Sequence, residues 1–182
     1  MNILALIWLF LPAGIANMAP IFVSKIPGLR ELELPMDLGK TFRGKRIFGA
    51  HKTIRGLFSG ILFGIATVWL QKEFYGHSEF IRTLSLLDYS TLNILLLGTL
   101  LGAGALIGDA VESFFKRQLG IESGKSWFPF DQIDYIIGAA IFIAPIYTLR
   151  VLEYVLLLIT FFVLHIVFTF IGYNLKLKKD PI

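Results

Sequence analysis

The residues best suited to chemistry fall between Gly108 and Asp134, in GDAVESFFKRQLGIESGKSWFPFDQID. Asp109, Glu112, Ser113, Lys116 and Arg117 follow i, i+3, i+4, i+7, i+8 spacing, which places them on one face of a helix. Asp131 and Asp134 stand three apart at the start of the next apolar run, so both can face one site. Oxygen-rich carboxylate sets suit hard cations such as Mg²⁺, which takes few protein carboxylates and completes its shell with water and substrate phosphates. Lys116 and Arg117 add positive charge toward phosphate oxygens. The alternative is a positively charged membrane-helix end with local Asp–Lys pairs. Charges so close to long apolar runs are costly, and by default they mark a functional site.

A second constellation lies upstream, in PMDLGKTFRGKRIFGAHKTIRG from Pro35 to Gly56. Gly39, Gly44, Gly49 and Gly56 punctuate Lys40, Arg43, Lys45, Arg46, Lys52 and Arg55, a composition able to cradle a polyphosphate. Thr41 follows Gly39 and Lys40, yet this is no Walker A loop, because Leu34 stands where the first glycine belongs. Asp37 is a further metal ligand or the partner of a neighbouring base, and His51 a further phosphate contact. The competing reading is a loop that binds anionic lipid, each surface Lys or Arg adding ~1 kcal/mol. A basic patch abutting the bilayer argues against nucleic acid as partner.

Long apolar segments must position these residues. The chain has 182 residues, 55% of them hydrophobic and only 16% charged, whereas soluble domains are ~25% charged. Apolar runs near the ~20 residues that span a bilayer predict an all-α, single-domain membrane protein over 1–182. Five spans are expected, over about 2–23, 54–70, 91–118, 133–147 and 153–173. Pro12 and Pro20 should kink the first. Gly56, Gly60 and Gly64 in the second, and Gly98, Gly102, Gly104 and Gly108 in the third, form small-residue stripes for close packing. His165 in the fifth reads as a packing donor, and Trp69 and Trp127 as interface anchors.

Basic residues set the orientation. Lys25, Arg30, Lys40, Arg43, Lys45, Arg46, Lys52 and Arg55 precede the second span. Lys116, Arg117 and Lys125 follow the third, and Lys176, Lys178 and Lys179 form the tail; the other side has Lys72, Arg82 and Arg150. The expected layout is N-terminus outside and C-terminus in the cytoplasm, with both constellations facing the cytoplasm at the cell membrane. The first run has no Lys or Arg before Lys25, so it reads as a retained helix rather than a signal peptide. With no cysteine, disulfides, thiolate metal sites and a cysteine nucleophile are excluded.

Gly108-Asp109, Glu112-Ser113, Lys116-Arg117 and Gly120-Ile121 resemble the signature of the membrane CTP-transferases that make CDP-diacylglycerol. That signature closes with Asp-Arg-x-Asp, where this chain has Asp131-Gln132-Ile133-Asp134. It also lacks the Pro-Gly-His-Gly-Gly before the final acids. These departures, the short chain and the Pro35–Gly49 loop resemble a narrower family, the CDP-archaeol synthases, nearly end to end. The resemblance implies transfer of CMP from CTP to 2,3-di-O-geranylgeranylglyceryl phosphate, giving CDP-archaeol and pyrophosphate with Mg²⁺ as cofactor. On it, Asp109, Asp131 and Asp134 would hold the metal and Glu112 would support them or orient Lys116. Lys116, Arg117 and the first-loop bases would hold the triphosphate and the lipid phosphate. Alternatives are the same transfer onto phosphatidate, and a small transporter or lipid-binding scaffold. A CDP-alcohol phosphotransferase would need Asp-x-x-Asp-Gly, whereas Asp109 is followed by Glu112-Ser113.

Overall fold

In the computed structural model, residues 2–29 and 32–174 are described. Arg30 and the tail lysines Lys176, Lys178 and Lys179, which contributed to the charge bias, lie outside the described residues. The chain forms α1 (Ile3–Val23), a two-stranded hairpin of β1 (Thr41–Phe42) and β2 (Lys45–Arg46), α2 (Ile54–His77) and α3 (Glu79–Leu84). There follow α4 (Ile94–Gln118), a 3₁₀ turn at Phe130–Gln132, α5 (Asp134–Ile143) and α6 (Val151–Asn174). Three long helices begin on polar caps that accept an otherwise orphaned N–H: Asn2 from Leu4, Thr53 from Gly56 and Asn93 from Leu96. Among the described residues α1, α2, α4 and α6 are long and apolar enough to cross a membrane. α1 is one helix through Pro12 and Pro20.

α4 is the hub, packing against α1, α2 and α5. Leu97, Leu101 and Ala105 of α4 join Leu6, Leu9, Phe10 and Ala13 of α1, Ile136, Ala139 and Ile143 of α5, and Leu157 and Phe161 of α6 in one core. Many large apolar side chains elsewhere are exposed, including Leu62, Phe63, Val155, Ile159 and Phe168. A bundle surface this apolar is matched to lipid rather than water. The glycine stripes do the packing expected of them. A Cβ on Gly64 would sit 2.7 Å from the Gly98 carbonyl oxygen, and one on Gly138 2.7 Å from Gly108 Cα. α4 therefore meets α2 on one side and α5 on the other at nearly backbone-to-backbone distance.

Two segments depart from the sequence reading. α2 continues to His77 rather than ending near Leu70, because Gln71 is buried and finds partners: it donates to the Trp8 carbonyl and accepts from the Tyr89 hydroxyl. The expected fourth span is a helix of only 10 residues, about 15 Å at the helical rise, which is half a hydrocarbon core. Pro145, two residues beyond Ile143, lacks the N–H needed to continue the ladder. The chain turns through 144–146, and the Arg150 N–H caps onto the Glu153 carboxylate at 2.8 Å to start α6.

Gly138→Ala and Gly76→Ala make the same change within a helix, but a Cβ on Gly76 meets nothing within 4 Å. Gly76→Ala should hold or raise the thermal unfolding midpoint in detergent, since alanine favours helix by ~1 kcal/mol. Gly138→Ala should lower it, because overpacking costs about 1–3 kcal/mol. Equal midpoints for the two variants would contradict the α4–α5 contact.

Candidate functional site

The α1–α2 loop is organised by Asp37. Its side chain is fully buried and its carboxylate accepts five hydrogen bonds. Oδ1 takes the Gly39 N–H (3.0 Å) and Arg46 Nη2 (2.5 Å). Oδ2 takes Arg46 Nε (3.1 Å) and the Phe48 and Gly49 N–H groups (3.0 Å each). Burial alone would raise the Asp37 carboxyl pKa, but Arg46 and these three amides hold it far below the usual range. Between β1 and β2, Arg43 and Gly44 have φ of +52° and +78°, the two positive values that a type I′ hairpin turn requires. Main-chain bonds from Met36 to Lys52 and from Ile54 to Leu34 close the base of the loop.

This loop docks on the C-terminal end of α4. Lys45 Nζ donates to the Gln118 carbonyl at 2.6 Å, satisfying an orphaned helix-end acceptor. Lys52 Nζ lies 2.6 Å from Asp109 Oδ2. Burial would lower the Lys52 pKa, but the Asp109 carboxylate more than offsets it and the shift is upward, so Lys52 stays charged. α4 ends in a Schellman motif: the Ile121 N–H bonds the Lys116 carbonyl, the Gly120 N–H bonds the Arg117 carbonyl, and Gly120 has φ +83°. The reversal turns residues 121–133 back over the helix end. It brings Asp131 Oδ1 to 2.7 Å from Lys116 Nζ, which also lies 3.6 Å from Glu112 Oε1. Asp131 Oδ2 accepts from the Ser126 hydroxyl (3.0 Å) and the Trp127 N–H. Burial pushes the Asp131 carboxyl up, but Lys116 and the Trp127 N–H hold it below its ordinary value.

These pairs form a wall between two cavities. One is the more polar, about 400 Å³, and lined by His51, Lys52, Lys116, Arg117, Lys125 and Asp131, with Phe48, Ser113, Ser123, Gly124, Ser126, Gln132, His165 and Thr169 completing it. The other is apolar, about 390 Å³, between α4 and α5; Val111, Phe115, Ile137, Ile141 and Phe142 line it, and Glu112 and Asp134 are its acidic groups. A polyanion fits the first by charge, and a hydrocarbon chain fits the second. An acidic and basic seam separates them.

The structure thus brings together Asp109, Glu112, Lys116, Arg117, Asp131, Asp134 and Lys52. It separates most of the other first-loop residues from the polar cavity. Asp37, Gly39, Lys40, Thr41, Arg43, Gly44, Lys45 and Arg46 do not line it. Asp37 and Arg46 are consumed by each other, so Asp37 is a loop anchor rather than a metal ligand; Lys45 caps α4, and Arg43 lies over the Phe42 ring. Gly49 does reach the cavity wall: a Cβ there would stand 3.2 Å from Arg117 Nη1 and Ser123 Oγ. Ser123, Ser126 and Thr169 escaped the sequence reading, because isolated hydroxyl residues carry no spacing signal. His165, read as a packing donor, lines the cavity and contacts the Tyr135 ring.

A divalent cation suits this donor set only in part. Among the described residues no three acidic or histidine side chains converge closely enough to form a ready metal cage. Yet among the described residues Glu112 Oε1, which has only the Lys116 ammonium at 3.6 Å, and Asp134 Oδ2 are buried without a hydrogen-bond partner. Buried carboxylate oxygens without hydrogen bonds are costly, and two of them at the acidic end of the apolar cavity fit Mg²⁺, which takes one or two carboxylates plus substrate oxygens.

A family model described as CarS-like, CDP-archaeol synthase, matches residues 1–182. The chain is 40% identical over 179 residues to a CDP-archaeol synthase of Methanococcus maripaludis, covering 95% of this chain and 93% of that one. It is 33% identical over 181 residues to that of Pyrococcus furiosus, covering 98% of each. It also resembles a solved structure described as an intramembrane enzyme for archaeal membrane lipids biosynthesis. That likeness has a TM-score of 0.72 and 33% identity over 91% of this chain and 93% of the other.

The Asp37 geometry makes a signed prediction. A carboxylate with a depressed folded-state pKa contributes stability that is present above its unfolded value of ~3.9 and lost as pH falls toward the folded one. Hydrogen exchange at the Phe48 and Gly49 amides, corrected for intrinsic rates, should therefore keep its protection from pH 7 to about 4 and lose it below that. Asp37→Asn should lose protection at these amides by roughly tenfold or more already at pH 7. Full protection in Asp37→Asn would remove Asp37 as the loop's anchor.

Proposed function

The chain belongs to the CDP-archaeol synthase family, and from that premise we propose that its ion-paired wall is where CTP meets the lipid phosphate. The protein is a CTP-dependent cytidylyltransferase of membrane-lipid biosynthesis, acting on a lipid phosphate to give CDP-archaeol. The observation that carries the proposal is the pair of unlike cavities on either side of Lys116, Glu112, Asp131 and Asp134. CTP occupies the polar one with its phosphates toward Lys52, Lys116, Arg117 and Lys125. An isoprenoid chain of 2,3-di-O-geranylgeranylglyceryl phosphate lies in the apolar one, with its phosphate at the acidic end.

The chemistry follows from these positions. A phosphate monoester has a second pKa of ~6 and is largely dianionic at neutral pH, so it needs no strong protein base to become a nucleophile. Its oxygen attacks the α-phosphorus of CTP, the bond to the bridging oxygen of the β-phosphate breaks, and pyrophosphate leaves. The protein aligns the two phosphates and neutralises their charge. Lys116 and Lys52 are held at the wall by Asp131 and Asp109, and Glu112 orients Lys116. Asp109, Asp131 and Asp134 would hold Mg²⁺, with Glu112 beside them. The ion, when bound, neutralises the triphosphate and favours pyrophosphate as leaving group. Lys40, Arg43, Lys45 and Arg46 act through the loop that carries Gly49 and Lys52.

The proposed topology has five crossings in a single domain, N-terminus outside and C-terminus in the cytoplasm of the cell membrane, with the site facing the cytoplasm. The fourth crossing combines the short α5 with residues 144–150, irregular backbone being tolerated at membrane depth where neighbouring helices cover it.

Pyrophosphate release by the protein in detergent, with CTP, Mg²⁺ and the digeranylgeranyl lipid, should depend on lipid and stop on addition of EDTA. Asp131→Asn should reduce turnover by roughly 10²-fold or more while the protein still inserts and unfolds cooperatively. Phosphatidate in parallel reads lipid choice. Wild-type turnover in Asp131→Asn would remove the wall from the mechanism.

A further inference from the structure

Gln132 is the residue at which the chain departs from Asp-Arg-x-Asp, and nothing in the transfer step uses it. Its side chain is almost wholly buried, with the residue 3% exposed, yet it lines the polar cavity. Among the described residues its Oε1 has no hydrogen-bond partner. The cations around the same cavity do not supply one. Lys116 is engaged by Asp131 and Glu112, Lys52 by Asp109, and Arg117 Nη2 by the Glu122 carbonyl. A buried acceptor without a donor is an exception that calls for an explanation, and a ligand filling the cavity would supply one.

The cavity divides by chemistry. Lys52, Lys116, Arg117 and Lys125 belong to the end of α4 and to the loops beside it, and suit phosphates. Gln132 belongs to the 3₁₀ turn, against which α6 packs, and α6 contributes His165 and Thr169. Gln132 is the uncharged amide on that side, and a nucleobase is read by uncharged hydrogen-bonding groups of this kind. Cytosine carries an exocyclic amine at C4, a donor, next to the N3 acceptor. Uracil carries a carbonyl at C4, which would face Oε1 acceptor to acceptor and leave both unpaired. A carboxamide can present either of its ends; a CTP-dependent reaction selects the oxygen.

We propose that Gln132 is the specificity residue for the base, its buried Oε1 accepting a hydrogen bond from the cytosine amine and thereby selecting CTP over UTP. The assignment rests on the reading of the polar cavity as the nucleotide site.

The test is calorimetric titration of three nucleotides into the full chain in detergent: CTP, UTP, and the triphosphate of 2-pyrimidinone riboside, which lacks only the amine. Wild type should bind CTP at least about tenfold more tightly than either of the others, because a site built to hydrogen-bond an N–H rejects an analogue without it. Gln132→Leu should weaken CTP by a similar factor and leave the pyrimidinone analogue within about twofold. Gln132→Met provides a second apolar variant of similar length should the leucine fail to fold, and Gln132→Glu, which keeps an acceptor, should retain the preference for the amine. The proposal is overturned if wild type does not distinguish CTP from the pyrimidinone analogue, or if the apolar variants weaken both equally. Titration is independent of turnover. Amine-dependent CTP binding without pyrophosphate release would sink the proposed reaction and leave this assignment standing.

Discussion

Lys116 is held by two carboxylates at the end of a membrane helix, and the rest of the site depends on that arrangement. An ammonium group this buried is costly unless it is paired and hydrogen-bonded. Asp131 at 2.7 Å and Glu112 at 3.6 Å supply the pairing. Asp131 reaches it only because the chain reverses at Gly120 and returns over the end of α4. Lys52 repeats the device from the other loop, meeting Asp109 about two turns before Lys116 on α4. Two loops far apart in sequence are thereby fastened to one helix by ion pairs. Breaking one partner of such a pair costs about 3–5 kcal/mol, because it strands the other charge.

In the proposed reaction, the same pairs that stabilise the loops would pre-place charge. The lysines would turn toward the two arriving phosphates, and the released carboxylates would be free to take a cation. Among the described residues no ready metal cage is formed; the carboxylates are held in ion pairs instead, and Glu112 Oε1 and Asp134 Oδ2 accept no hydrogen bond there. The glycine contacts of α4 serve the same end. They bring α5 close enough that Asp134 and Glu112 face one groove.

Much of this was legible in the sequence. The i, i+3, i+4, i+7, i+8 set on α4 and the glycine stripes read correctly, because helical periodicity maps spacing directly onto a face. Helical periodicity does not place Asp131 against that face; the reversal at Gly120 does. The first loop was the harder part. Its basic residues look equivalent in sequence, but only Lys52, together with His51, lines the cavity, while Lys45 and Arg46 are spent on a helix cap and on Asp37. Which base meets which acid depends on a loop fold that leaves no periodic trace. The fourth span, over about 133–147, reads as short and limited by Pro145, and α5 ends two residues before that proline. Ser123, Ser126 and Thr169 were invisible for want of any pattern.

The central claim is that lipid and nucleotide approach the ion-paired wall from opposite sides. The most direct measurement is photo-crosslinking with a digeranylgeranylglyceryl phosphate carrying a diazirine in one isoprenoid chain, followed by peptide mapping. Label concentrated in 107–115 and 133–142, undiminished by saturating CTP, is the predicted result. Label concentrated in the polar cavity at 48–52 or 123–126, or displaced by CTP, would contradict the account.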